Sequence, residues 1–276
     1  MDNEGCSFDR ALPAWPVKRS PVDGLPLAGR FRHFFRRLTR LARLDLQKLP
    51  QHPDRSIHNL RVRMKKLAAV LRLVKSHIRR EEYGKMLAAT KRLKNAFAQQ
   101  RDAKVAAQLR GKKKTPPPKA SVPQKASGPL FIEVAILEKT LTDAPLENLH
   151  QEDVLEAYVK CYHKGRKRMK KCLKKPEPAL LHQWRGPVKR FFYQSLLFRR
   201  AKGAKSRIKQ AKKLGKWLGK DHDRHLLAER ARNEQQFKTA KFLDQKREEQ
   251  QKRIFKLAQK LYKHSPKHLR KKLSKS

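Results

Sequence analysis

Nowhere in this 276-residue chain does an apolar run approach the roughly 20 residues that a membrane-spanning helix needs. The first residues include Asp2 and Glu4 and lack the apolar core of a secretory signal. Cysteine is scarce: Cys6, Cys161 and Cys172 have no paired metal spacing, and an odd count fits a reducing compartment better than a disulfide framework. No strand-like alternation stands out, which leaves an all-α chain. The aromatics, 7% of residues, fall at core-like spacings and offer no stacking platform for single-stranded nucleic acid. These absences lead us to expect a cytoplasmic protein with no membrane partner and no metal or cofactor.

Negative charge is the other shortage. Against 71 Lys plus Arg stand 24 Asp plus Glu, a net charge of +47. Self-repulsion on that scale opposes compaction unless an anionic partner relieves it, so the expected ligand is a polyanion.

Proline marks the organisation. Residues 1–26, with Pro13, Pro16, Pro21 and Pro26, read as a disordered arm. A helical domain is expected over 27–263, in two halves at 27–111 and 130–263. The linker at 112–129 holds Pro116, Pro117, Pro118, Pro123 and Pro129. A basic tail, 264–276, is expected to be disordered. Within the halves, helical spacing predicts helices over about 31–49, 80–109, 130–141, 147–175 and 226–262, besides two that carry the motif described next. Leu155, Tyr158, Tyr162, Met169 and Leu173 form one apolar face, and Phe31, Phe34, Phe35, Leu38, Leu41 and Leu44 another.

That motif is a cassette written twice. His58-Asn59-Leu60-Arg61 followed by Lys65-Lys66 is echoed 124 residues later by His182-Gln183-Trp184-Arg185 followed by Lys189-Arg190. On a helix, His58, Arg61, Lys65 and Arg72 fall within an arc of about 60°, opposite Leu60, Met64, Leu67, Leu71 and Val74. Asp54 or Ser56 is the expected cap of this helix, which runs to about His77. Downstream, Lys91-Arg92-Leu93 and Asp102 are matched by Lys212-Lys213-Leu214 and Asp223, each 121 residues apart. A duplicated helical subdomain is implied. Further basic stripes run through Arg36 and Arg40 and through Lys205, Lys209, Lys212 and Lys216.

At these two cassettes, with Arg101-Asp102 and Leu218-Gly219-Lys220-Asp221-His222-Asp223, the chain resembles the CHAD family, the conserved histidine α-helical domain. The resemblance covers about 27–262. It implies two four-helix bundles related by a pseudo-twofold axis, forming one domain whose basic central channel binds inorganic polyphosphate without catalysis. From such binding we expect the protein to associate with polyphosphate granules.

Carried over residue by residue, the ligand-facing positions are His58, Arg61, Lys65 and Lys91 in the first half and His182, Arg185, Lys189 and Lys212 in the second. Arg36, Arg40, Arg72, Lys209 and Lys216 join them on helical geometry alone. Asp102 and Asp223 are read as partners that fix nearby cations.

Two departures from the family pattern stand out. Ala68 stands where the family often continues its basic run with Arg. Gly186-Pro187 follows Arg185, so the second cassette helix is expected to kink at Pro187 or to begin there.

A row of Arg and Lys suits a linear polyphosphate, which presents about one negative charge per phosphate and no bases. Guanidinium supplies paired hydrogen bonds and ammonium an adaptable point charge. The rival ligand is nucleic acid, bound weakly and without specificity by the same basic helices; no helix-turn-helix, zinc-finger or RNA-recognition signature accompanies them. His222-Asp223, with His225 nearby, resembles the metal dipeptide of the HD phosphohydrolases. The further ordered His and Asp ligands of such a site are missing, so no catalytic residue is expected.

Overall fold

The computed structural model describes residues 25–100, 128–199 and 201–274. The arm up to residue 24, Asp102 and the linker through residue 127 lie outside the described residues. Among the described residues the chain is all-helical, with no strand. No described helix is long and apolar enough to cross a membrane. The chain divides into two compact units, one spanning Pro21–Asp153 and the other containing Val154–Ser276.

The first unit holds α1 (Leu27–Gln47), α2 (Pro53–Leu71), α3 (Arg80–Asn95) and α4 (Gly128–Thr142). Each packs on two others, in the ring α1–α2–α3–α4, around one core. Phe31, Phe34, Phe35 and Leu38 of α1 are buried, as are Leu60, Met64, Leu67 and Leu71 of α2, whereas Leu44 is exposed. A buried Arg63–Asp45 ion pair links α1 to α2. The helix α2 starts at Pro53, whose missing N–H costs nothing in a first turn, and neither Asp54 nor Ser56 is its cap. The helix α3 ends at Asn95, short of the expected 109.

The placement of α4 departs from expectation. Read in sequence as the start of the second half, it lies in the first unit, burying Val134, Leu137 and Leu141 and packing on α1 and α3. Arg32 of α1 donates to the carbonyls of Thr142 and Ala144, both at 2.9 Å, and pairs with Glu147. Arg43 pairs with Glu138 and Arg92 with Glu133. Both carboxylates of α4, Glu133 and Glu138, are thus answered by arginines of its own unit.

The second unit holds most of α5 (Gln151–Lys174), then α6 (Pro178–Ser195), α7 (Ala204–Asn233), α8 (Phe237–Leu261) and α9 (Pro266–Ser274). Tyr158 and Tyr162 of α5, Trp184 and Phe191 of α6, and Tyr262 fill its core. Tyr158 stacks on Phe191 and Phe198, at 5.0 and 4.2 Å between ring centroids. At the end of α5 Cys172 keeps the buried face and Leu173 is exposed.

Three sequence readings are corrected here. The expected helix over 226–262 is two, because α7 closes in a Schellman turn. Gln235 takes φ 58°, Gln235 N–H reaches the carbonyl of Arg232 (3.0 Å), and Gln236 N–H reaches that of Ala231 (2.7 Å). The helix α6 does not begin at Pro187 but runs through it from Pro178, so His182, Arg185 and Lys189 share one helix. Residues 266–274 of the tail expected to be disordered form α9. Ser265 Oγ accepts from His268 N–H (3.1 Å), Pro266 opens the first turn, and Leu269 and Leu273 are buried.

Candidate functional site

In the second unit the cassette of α6 lies on α7. Gly215, Gly219 and His222 share about 60° of one face of α7. A methyl group on Gly215 would stand 3.2 Å from Lys189 Cδ and Cε; one on Gly219 would stand 3.2 Å from Arg185 Nε and Nη2. The two glycines bare the α7 backbone, and the cassette side chains lie flat against it.

The consequence is electrostatic. Burial lowers the pKa of Lys189, and the charges of Arg185 and Lys212 lower it further. His182 and His222 meet with ring centroids 4.0 Å apart. His222 is held below the usual imidazole value by burial first and then by His182, with smaller contributions from Arg185 and His225, while Asp223 opposes the shift. Arg185 Nε is buried and makes no hydrogen bond among the described residues. Five basic groups thus gather: His182, Arg185 and Lys189 from α6, Lys212 and His222 from α7. Lys209 and Lys216 are exposed on α7, about one turn to either side of Lys212.

The nearby acids are used differently from the sequence reading. Asp223 is exposed, and its charge acts on His222, raising that imidazole's pKa against the other influences. Asp221 is the buried acid, accepting from Gln251 Nε2 at 3.0 Å and lying 3.7 Å from Arg247 Nε, so it ties α7 to α8.

In the first unit the cassette of α2 faces the end of α3. Arg61 Nη1 donates to the carbonyl of Lys94 at 2.6 Å. Lys94 has its pKa lowered by burial, then by Arg61, then by Lys91, so Arg61, Lys91 and Lys94 form one group. His58 and Lys65 are exposed on α2. Arg72 folds back onto its own helix, donating to the carbonyl of Ala68. On α1, Arg36 reaches Thr142 Oγ1 of α4 at 3.4 Å, and Arg40 lowers the pKa of its neighbour Arg37, behind the effect of burial. Arg36 is thus engaged with α4, and Arg40 acts on a neighbour within α1.

Two members of these groups escaped the sequence reading. Lys94 follows Lys91 by three residues, a signal that was available. His222 was weighed only as half of a metal dipeptide, although it lies seven residues after Gly215 and on the same face. Among the described residues no three His, Cys, Asp or Glu side chains gather as metal ligands.

Compared with known proteins, the chain matches the profile of the CHAD domain over residues 6–111 and 131–232. No curated protein and no solved structure shows significant similarity to it.

Proposed function

The chain belongs to the CHAD domain family, and from that premise we propose that it binds inorganic polyphosphate without turning it over. The binding groups are Arg61, Lys91 and Lys94 with His58 and Lys65 in the first unit, and His182, Arg185, Lys189, Lys212 and His222 in the second. In the cell this binding carries the protein to polyphosphate granules.

The observation that supports this reading most directly is Lys189, half-buried between Arg185 and Lys212. Crowding like charges out of water destabilises the ligand-free protein, and a phosphate chain threaded along them would relieve that repulsion. Guanidinium and ammonium donors held on rigid helices meet successive phosphates without reorganising, and no base-reading element is required. Each phosphate neutralised releases counterions, so the affinity falls steeply with salt.

The test compares two quadruple variants of equal charge change. Arg61→Gln, Lys65→Gln, Arg185→Gln and Lys189→Gln together remove four charges at the cassettes. Lys238→Gln, Lys241→Gln, Lys267→Gln and Lys271→Gln remove four from exposed positions of α8 and α9. With long-chain polyphosphate at near-physiological salt, the cassette variant is expected to lose on the order of 100-fold or more in affinity and the control less than about threefold. Equal losses in two folded variants would reduce the site to a diffuse basic surface. A competition arm separates the ligands: duplex DNA displacing labelled polyphosphate at equal phosphate concentration would favour nucleic acid.

A further inference from the structure

The second unit has a basic cavity outside the cassettes. It measures 410 Å³ and is lined at the start of α7 by Gly203, Ser206, Arg207 and Gln210. The end of α8, the turn after it and the last turn of α9 supply Lys260, Lys263, His264 and Lys272, over a floor that includes Tyr162 and Leu269. Among the described residues no acidic one lines it.

The cavity is built. Tyr162 Oη donates to the carbonyl of His264 at 2.9 Å, and Arg166 Nε to that of Tyr262 at 3.1 Å, which pins the turn between α8 and α9. The rings of His264 and His268 stack, with centroids 4.4 Å apart. Arg207 is held by its Nη1, which donates to the carbonyl of Lys202 at 2.9 Å, and its guanidinium lies beside the buried hydroxyl of Tyr158, with Nε and Nη2 shut off from solvent. No side chain caps the first turn of α7, which opens from Gly203 in the left-handed region at φ 73°. An uncapped helix start beside the positive charges of Arg207, Lys260, Lys263 and Lys272 is a setting for an oxyanion. The groups facing His264 are His268, Lys263, Lys272 and Arg207, all basic, and after burial they hold its pKa below the usual value.

We propose that this cavity is a second anion site, taking a compact, multiply charged phosphate anion of the pyrophosphate class, with Lys263 and His264 as its principal donors and Arg207 as a fixed positive charge beside them. Its volume accepts a small ligand and is too short for a long chain. The site stands apart from the cassettes and does not depend on the reading given to them.

The experiment is calorimetric titration of the full-length protein with pyrophosphate, together with NMR titration of the histidine rings against pH. Pyrophosphate is expected to bind and to raise the His264 pKa, because an anion favours the imidazolium. Lys263→Gln with His264→Gln, both away from the core, should weaken binding about tenfold, a loss of roughly 1.4 kcal/mol. Arg185→Gln with Lys189→Gln should leave this site's binding unchanged. Arg207→Gln should act like the first pair; if it disturbs folding, the Lys263–His264 pair still decides. The proposal is overturned if pyrophosphate fails to bind, if the Lys263–His264 variant binds as the parent does, or if the cassette variant abolishes the whole signal. Loss of long-chain polyphosphate binding in the cassette variant alone would leave the proposed function standing whichever way this site falls.

Discussion

Arg61 and Arg185 hold the same place in the two cassettes, yet they lie against different surfaces. Arg61 crosses α3 at Lys94, whose own ammonium adds to the group. Arg185 crosses α7 at Gly219, with Lys189 against Gly215. At the 121-residue offset that relates Lys91 to Lys212, Lys94 corresponds to Gly215. One unit adds a cation where the other leaves bare backbone. As a result Lys65 is exposed and Lys189 is half-buried, and the second group draws in a pair of imidazoles. A repeated motif therefore yields two electrostatic settings, since what desolvates a cation is the helix opposite it. Partly dehydrated cations attract an anion through a lower effective dielectric, so the second cassette is the stronger of the two proposed binding groups.

That asymmetry can be broken directly. Arg185→Gln with Lys189→Gln should cost on the order of 100-fold in polyphosphate affinity, and Arg61→Gln with Lys65→Gln about tenfold, on the usual cost of lost charge-assisted hydrogen bonds. Both pairs should lower the slope of log affinity against log salt by about two. Titrations at three or more salt concentrations read both quantities. Equal losses from the two pairs would mean that burial of the second cassette has no bearing on binding.

A smaller effect isolates the glycines. In Gly219→Ala the added methyl, 3.2 Å from Arg185, forces that side chain to shift by a few tenths of an ångström. Alanine also favours the helix by about 1 kcal/mol. The expected outcome is unchanged or raised stability in denaturant with affinity reduced about fivefold. A variant that loses stability and affinity together would show that Gly219 serves packing alone.

The smallest expected effect concerns pH. His222 in the free protein lies below its unfolded value of 6.5, so the unfolded state binds more protons there and ligand-free stability falls as pH drops through that window. A bound anion raises the folded value, protons are taken up on binding, and affinity rises as pH falls. The internal phosphates of the chain stay ionised throughout. Between pH 7.5 and 6 we expect a rise of roughly threefold beyond any seen with His222→Asn, and His58→Asn should alter it less because His58 is exposed. If His222→Asn retains the full dependence, another group carries it.

Much of this was legible in the chain because helical phase is local. The buried faces of α1 and α2 and the tyrosines of α5 follow from residue spacing alone; the alignment of His182, Arg185 and Lys189 did not, because Pro187 called for a kink or a helix start between them. The start of α9 was legible too: Ser265-Pro266 followed by Leu269 and Leu273 is a capped amphipathic turn, and the charge of the tail obscured it. Other features were not local. The helix α4 belongs with α1 and α3 because Arg32, Arg43 and Arg92 answer Glu147, Glu138 and Glu133, partners far away in the chain. The break between α7 and α8 rests on a positive φ at Gln235, a residue type that does not announce one.

By itself, then, the sequence determined an all-helical chain of the CHAD family, the excess of cations and the face of each cassette helix that carries them. Tertiary structure alone decided that Lys94 joins Arg61, that His222 meets His182, and that Gly215 and Gly219 let Lys189 sink between Arg185 and Lys212. Periodicity is set by the backbone of a single helix. Desolvation and the meeting of charges are set by the surface that another helix brings against it.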